Sequence, residues 1–527
     1  MTERLRQPLP LGRSDFIALR HDGSIYIDKT RMVFDLCRDS SKVFIARPRR
    51  FGKSLLVSTF SALFQFGIWD FKGLAIENLW PDKAYKVIRL DFSEIKYCST
   101  EEDFVSKFHD QLLRKFRQAG FVYAEKGGLF MGQISDWLSS LPPSSLVILI
   151  DEYDAPLTAS LDDPALFDRI RASINAFFQV LKSNEGCLRF FFMTGITRLK
   201  TFFPEINFLD DISLNGVYGT LIGFTEEEIK KAFPYYLREA EQKLGLTEDA
   251  LVGRLRENYG GYSFEPEAQA HVFSPWSVLN FLRHPGQGFK NYWFASGGLP
   301  TRFLQLPGNH ALMSPDQFNQ PIGIPLDELS ASREVSDFPA AALLLEAGYL
   351  TIKNKLNAAE VELGYPNQEV RLSIARLYAD EMLRNVNRLE VGVSRLEKML
   401  DCENVDTVVR QFNAVLNTID CRHCPIRDEA SCMSLIEVLL MGAAMATDVE
   451  KHSAPGRSDL EVRTRNRQWV FEFKFARKAS EVSRLLAEAA EQLLTRRYGE
   501  APHDRELIRV ALVFDAEKRE FAAWESV

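Results

Sequence analysis

The chain has 527 residues and carries 64 Lys and Arg against 72 Asp and Glu, a net charge of −8. That acidic balance excludes a protein that coats nucleic acid with its whole surface, although it leaves room for a local basic groove. A 46% hydrophobic and 26% charged composition is that of a globular protein with sizeable cores. No apolar run approaches the roughly 20 residues of a membrane span. Seven cysteines in so long a chain do not make a disulfide framework. The opening MTERLRQPLPLGRSDF lacks the apolar stretch of a signal peptide, so the expected compartment is a reducing cytoplasm, with no membrane partner.

Along the chain, Tyr26-Ile27-Asp28-Lys29-Thr30 opens a helix, and Lys42–Ala46 is a short apolar strand. That strand runs into Arg47-Pro48-Arg49-Arg50-Phe51-Gly52-Lys53-Ser54, after which Leu55, Leu56, Phe60, Leu63 and Phe64 recur near a helical period. Further strands are expected at Val87–Asp91, Leu146–Ile150 and Arg189–Met193. Continuous apolar strands alternating with helices predict a parallel sheet covered on both faces. From Thr225, whose Glu228 completes a capping box, the pattern is helical to about 285. Leu343–Gly348 then reads as a helix end, with strands at Tyr349–Lys353 and Val370–Ile374 forming a two-stranded wing. Residues 375–418 return to helix, and the last segment mixes helices and strands.

Gly52-Lys53-Ser54 between an apolar strand and an amphipathic helix has the context of a P-loop. Backbone N–H groups around Arg49, Arg50, Phe51, Gly52 and Leu55 would cradle phosphate oxygens. Lys53 would neutralise the β- and γ-phosphates, and Ser54 would hold Mg²⁺. Arg47 stands where the motif usually begins with glycine. The buried strand Leu146–Ile150 delivers Asp151, a second Mg²⁺ ligand, and Glu152, which would orient the attacking water. Thr194 and Arg198, beyond the next strand, are candidates for sensing the γ-phosphate.

A second site lies near the other end. Asp459 precedes the strand Leu460–Arg463, and Gln468–Phe475 follows a turn. Glu472 and Lys474, two apart, share one face of their strand. Asp459 and Glu472 would hold Mg²⁺ or Mn²⁺ through hard oxygen ligands, with Lys474 placing a water or offsetting charge. Arg463, Arg465 and Arg467 around the turn are candidate phosphate contacts, and Arg484, Arg496 and Arg497 are further basic positions. Cys421, Cys424 and Cys432, with Cys402 and His423 nearby, have a spacing that admits Zn²⁺ or an iron–sulfur cluster, although free thiols are favoured.

The YIDKT, RPRRFGKS and IDEYD stretches, with Thr194-Gly195, Asp211-Ile212-Ser213, Tyr259-Gly260-Gly261-Tyr262 and Pro275-Trp276-Ser277, resemble the bacterial AAA-ATPase-like family over most of residues 10–300. The arginine-rich loop is usual in that family, and the resemblance implies ATP binding. Residues 430–500, with the Gly456–Asp459 turn, Glu472, Lys474, Gln492 and Tyr498, resemble the PD-(D/E)xK nuclease-like domain often fused to it. That resemblance implies an upstream helical acid. Glu429 is preferred over Glu437, and Met433-Ser434 replaces the usual Tyr-His pair.

The expected fold is therefore α/β. A P-loop NTPase parallel sheet would occupy 1–224, a helical lid-type subdomain 225–285, and a mixed, winged-helix-like region 286–404. A restriction-endonuclease-like domain would occupy 405–527. The expected activity is an ATPase coupled to a metal-dependent nuclease. The alternative is an ATP-driven switch whose nuclease-like domain binds nucleic acid or a partner without cutting. Expected partners are ATP and nucleic acid, DNA foremost, with a homo-oligomer compatible.

Overall fold

A computed structural model of the chain describes residues 6–81, 84–198, 203, 207–293, 321–329, 340–382, 396–417, 426–442, 446–453, 456–496 and 505–527. Two compact units emerge, Met1–Gly308 with Pro321–Val370, and Asn309–Gln320 with Arg371–Val527.

The first unit is built on parallel strands β1 (Lys42–Ala46), β2 (Lys86–Asp91), β3 (Leu146–Asp151), β4 (Leu188–Gly195) and β5 (Asp210–Asp211), in the order β2-β3-β4-β1-β5. Every residue of β3 is buried, as a central strand covered on both faces requires. Helices α1 (Phe16–His21), α2 (Thr30–Asp39), α3 (Lys53–Phe66), α4 (Glu101–Gln118), α5 (Phe130–Ser139), α6 (Ala155–Ala159) and α7 (Pro164–Ser183) accompany the sheet. A second core follows, made by α8 (Glu226–Ala232), α9 (Pro234–Leu244), α10 (Glu248–Tyr259) and α11 (Pro275–Arg283). The capping box on Thr225 and Glu228 is present.

The middle region carries helix α12 (Ala340–Ala347) and an antiparallel sheet of β6 (Ile322–Pro325), β7 (Thr351–Lys355) and β8 (Glu360–Gly364), in the order β6-β8-β7. A helix and a strand near the expected Tyr349–Lys353 are therefore there, but the sheet has three strands, and the partner of 351–355 is 360–364. Val370–Ile374, expected as that strand, lies inside helix α13 (Gln368–Met382). Asn367 accepts the Val370 N–H at 3.1 Å and fixes the start of the helix, which overrides the apolar–polar alternation.

The second unit contains α14 (Leu396–Cys402), α15 (Val405–Leu416), α16 (Glu429–Gly442) and α17 (Val482–Arg496). Its sheet is β9 (Ala446–Ser453), β10 (Gly456–Arg463), β11 (Arg467–Ala476), β12 (Glu506–Asp515) and β13 (Glu520–Ser526), in the order β13-β12-β11-β10-β9. Only β11 and β12 pair in parallel. Trp469, Phe471 and Phe473 pack on α15 and α16, while Val470 packs on α17. The period-2 alternation of β11 thus sends Glu472 and Lys474 to the α17 face.

Candidate functional sites

In the first unit, β1 ends at Ala46 and α3 starts at Lys53, so the intervening loop sits at the C-terminal edge of the sheet, where ligands of open α/β sheets bind. Gly52 takes φ 107°, a value that a side chain disfavours, and hands the chain into the helix. Lys53 is buried, and its ammonium donates to the carbonyls of Arg47 at 2.8 Å and Pro48 at 2.9 Å. Burial lowers its pKa, opposed by the carboxylates of Asp151, Glu152 and Asp154. Asp151 is also buried. Burial raises its pKa, and the nearby Ser54 hydroxyl and the charge of Lys53 oppose that. The two expected Mg²⁺ ligands therefore lie close together.

Glu152 follows at φ 47°, an uncommon conformation for a residue with a Cβ and one that concentrates at functional sites. Its pKa is raised by burial. It lines a cavity of about 450 Å³ together with Arg49, Arg50, Phe51, Gly52, Lys53, Ser54 and Leu55. Trp276, Leu279 and Ile222 give the same cavity an apolar wall that no local periodicity announced.

Arg47 is not a vacancy in the motif but a strut. It is 1% exposed, donates to the carbonyls of Ser213 at 2.7 Å and Tyr218 at 3.3 Å, and lies 4.3 Å over the Phe264 ring. Burial pushes its pKa down to about 9. Asp154 is a second positioning residue: its carboxylate accepts the N–H groups of Ile196 at 3.0 Å and Thr197 at 2.7 Å, bracing the end of β4. Thr194 is buried and donates to Ile45 O at 2.8 Å. Arg198 pairs with Asp211 at 3.0 Å and donates to Leu329 O at 2.8 Å. It lines a separate small cavity with Arg47 and Glu346.

In the second unit the β10–β11 ladder runs to the pair Leu460↔Phe471. One step further the Asp459 carboxylate accepts the Phe473 N–H at 2.9 Å. This places Asp459 beside Glu472. The Lys474 amine stands 3.2 Å from Glu472 and 3.3 Å from Glu429, and donates to Phe473 O at 3.0 Å. Glu429, Asp459, Glu472 and Lys474 therefore meet in one place. Glu437 does not join them: it is fully buried on α16 and pairs with Arg371.

Glu472 is fully buried, and its Oε2 has no hydrogen-bond partner. Burial first, and then the charge of Asp459, push its pKa up to about 7. Burial also raises Glu429. Burial disfavours the charge on Lys474, but Glu472, Glu429 and Asp459 outweigh it and hold its pKa above the ordinary value. A desolvated carboxylate with an unused oxygen, two further carboxylates and only one ammonium fit a hard divalent cation. Among the described residues no group of three His, Cys, Asp or Glu is already gathered as a metal-ligand set. The Lys474 amine instead bridges two of the acids.

Of the candidate phosphate contacts, Arg467 is taken up by Glu506 at 2.8 Å and Glu403 O at 2.6 Å. Arg463 lies 3.8 Å from Glu461, Arg484 pairs with Glu488 along its helix, and Arg465 is exposed. The side chain of Arg496, and Arg497, Tyr498, Cys421, His423 and Cys424, lie outside the described residues. Cys432 is buried with its thiol pKa pushed up, and Cys402 is exposed. Among the described residues no helix is long and apolar enough to cross a membrane.

A protein of Azotobacter chroococcum mcd 1, described as an uncharacterized protein in the vnfD 5'region, is 28% identical over 481 residues, covering 89% of each chain. Two solved structures align at low similarity. The Aeropyrum pernix ORC2 protein has 9% identity, covers 67% of this chain and 93% of its own, and gives a TM-score of 0.30. CDC6P from Pyrobaculum aerophilum has 11% identity, covers 72% and 97%, and gives a TM-score of 0.24. Residues 10–202 match the AAA-ATPase-like family, described as Predicted AAA-ATPase, and residues 429–524 match the PD-(D/E)XK nuclease superfamily. The chain thus carries an AAA-ATPase-like region over residues 10–202 and a PD-(D/E)XK nuclease superfamily region over residues 429–524.

Proposed function

We propose that the protein hydrolyses ATP and, through its second unit, hydrolyses phosphodiester bonds of nucleic acid, DNA foremost, with a divalent cation. The observation that carries the nuclease half is the meeting of Asp459, Glu472 and Lys474 on one sheet face around the partnerless Glu472 Oε2.

At the ATP site, Lys53 would exchange the loop carbonyls for β- and γ-phosphate oxygens. Ser54 and Asp151 would hold Mg²⁺, and Glu152 would orient water toward the γ-phosphorus. At the second site Asp459 and Glu472 would hold Mg²⁺ or Mn²⁺, which when bound supplies Lewis acidity toward the scissile phosphate. Lys474 would stay beside Glu429 as a fixed positive charge facing the developing negative charge on phosphate oxygens.

Cleavage of single- and double-stranded DNA and of RNA, with and without Mn²⁺ and ATP, tests this directly. Metal-dependent cutting that Asp459→Asn abolishes and that leaves ATP binding intact is the expected result. A second function is favoured by one specific observation, the bridging of two of the acids by Lys474: an ATP-driven switch whose nuclease-like domain grips nucleic acid without cutting it. Retention of DNA at low salt with no cleavage in any metal would select it.

A further inference from the structure

We propose that Arg49 is the catalytic arginine of the ATPase, supplied by the phosphate loop itself, so that hydrolysis needs no arginine from a neighbouring subunit. This rests on the ATP-hydrolysis proposal above and assigns its charge-stabilising group.

The loop holds three arginines, and two are committed. Arg47 is anchored on carbonyls at the back of the loop. Arg50 also lines the nucleotide cavity, but it is exposed and its guanidinium is stacked 4.4 Å over the Trp276 ring. Arg49 lines the same cavity as Lys53, Ser54 and Glu152. Its Nε, like that of Arg47, is buried and has no hydrogen-bond partner, but Arg49 faces the nucleotide cavity, whereas Arg47 lines the separate cavity behind the loop. A desolvated donor without an acceptor is costly, which marks a group built to meet a ligand oxygen. A guanidinium also binds phosphate through two parallel hydrogen bonds.

Its backbone is braced from behind. Trp293 Nε1 donates to Arg49 O at 3.4 Å. Gly348, at φ 85°, lets Pro48 approach so closely that a Cβ there would fall 2.6 Å from Pro48 Cβ. Such bracing pre-positions a charge before the reaction, so no reorganisation is needed in the transition state. Arg198 is the competing arginine on this edge, but Asp211 and Leu329 O hold it at the separate cavity beside Glu346.

In the step itself, the oxygen of a water held by Glu152 bonds to the γ-phosphorus. The bond from that phosphorus to the β–γ bridging oxygen breaks, ADP leaves with the electron pair, and the water proton passes to the released phosphate. Arg49 gives up no proton; it faces the γ-oxygens as their charge redistributes.

The test uses the full chain and compares Arg49→Ala and Arg49→Gln with the wild type, with folding checked by circular dichroism. Hydrolysis, fluorescent ADP affinity and fluoroaluminate trapping of ADP are measured over a hundredfold range of protein concentration. An arginine acting in cis is worth roughly 10²-fold or more in kcat. The expected result is that loss in both variants, with trapping abolished, ADP affinity within about threefold of wild type, and a wild-type specific activity that is flat on dilution. Unchanged kcat in Arg49→Gln, a matching loss of ADP affinity, or wild-type activity that falls on dilution overturns the assignment of Arg49 alone. Absence of nucleotide binding by the wild type, referenced to Lys53→Ala, overturns the ATPase proposal and this one with it.

Discussion

Glu472 and Lys474, two residues apart on β11, meet at 3.2 Å, and the glutamate oxygen that the lysine does not touch is buried with no partner. The pair is half neutralised. A single ammonium serves Glu472 and Glu429 with Asp459 close by, so burial and like-charge repulsion work against the folded state. Activity and stability should therefore diverge here. Glu472→Gln is expected to abolish cleavage while leaving the melting temperature of the metal-free protein unchanged or higher. Thermal melts with and without Mn²⁺ check this, and only the wild type should gain stability from the ion.

Glu152→Gln keeps the shape of the cavity and removes the carboxylate. Nucleotide binding is expected to persist, with ATP turnover reduced by about 10²-fold or more. Filter binding of ATP beside phosphate release separates the two effects.

Restoring the usual glycine of the phosphate loop should damage this protein. Arg47→Gly removes a buried guanidinium that satisfies the carbonyls of Ser213 and Tyr218 and packs on Phe264. The cost is expected to be about 3 kcal/mol or more, since buried acceptors lose their donor and a cavity opens. Denaturant melts of the variant measure it.

Glu369 should impose a pH dependence on the stability of the first unit. Its carboxyl is buried near Tyr259, Tyr262 and Tyr292, accepts hydrogen bonds from Ser277 and Trp293 N, and is pushed up to about 7 by burial. The folded state therefore holds this proton more tightly than the unfolded chain. The group's stabilising contribution is complete below about pH 4.5 and is lost as pH rises through 7, by at most about 3 kcal/mol. Glu369→Gln should flatten that slope between pH 5 and pH 8, as read from urea midpoints.

The strands that carry the sites were legible because buried parallel strands leave unbroken apolar runs, as in Leu146–Ile150, and because Glu472 and Lys474 stand two apart. The same logic failed at Val370–Ile374. A local cap by Asn367 decided for helix there, while Glu360–Gly364, with Val361 and Leu363 buried between glutamates, carried the true alternation. The strut role of Arg47 was not legible at all. It depends on carbonyls of Ser213 and Tyr218, which lie more than 160 residues away, and no local pattern encodes such a contact. Choosing Glu429 over Glu437 likewise depends on which helix end faces Lys474, and Arg371 occupies Glu437.

The most direct test is cleavage of a DNA panel in Mn²⁺ by wild type, Asp459→Asn and Lys474→Met, all assayed in parallel for ATP binding. The account predicts metal-dependent cutting by the wild type, loss of about 10²-fold or more in both variants, and unchanged ATP binding. Cutting that survives in Lys474→Met and Asp459→Asn at the wild-type rate would contradict it.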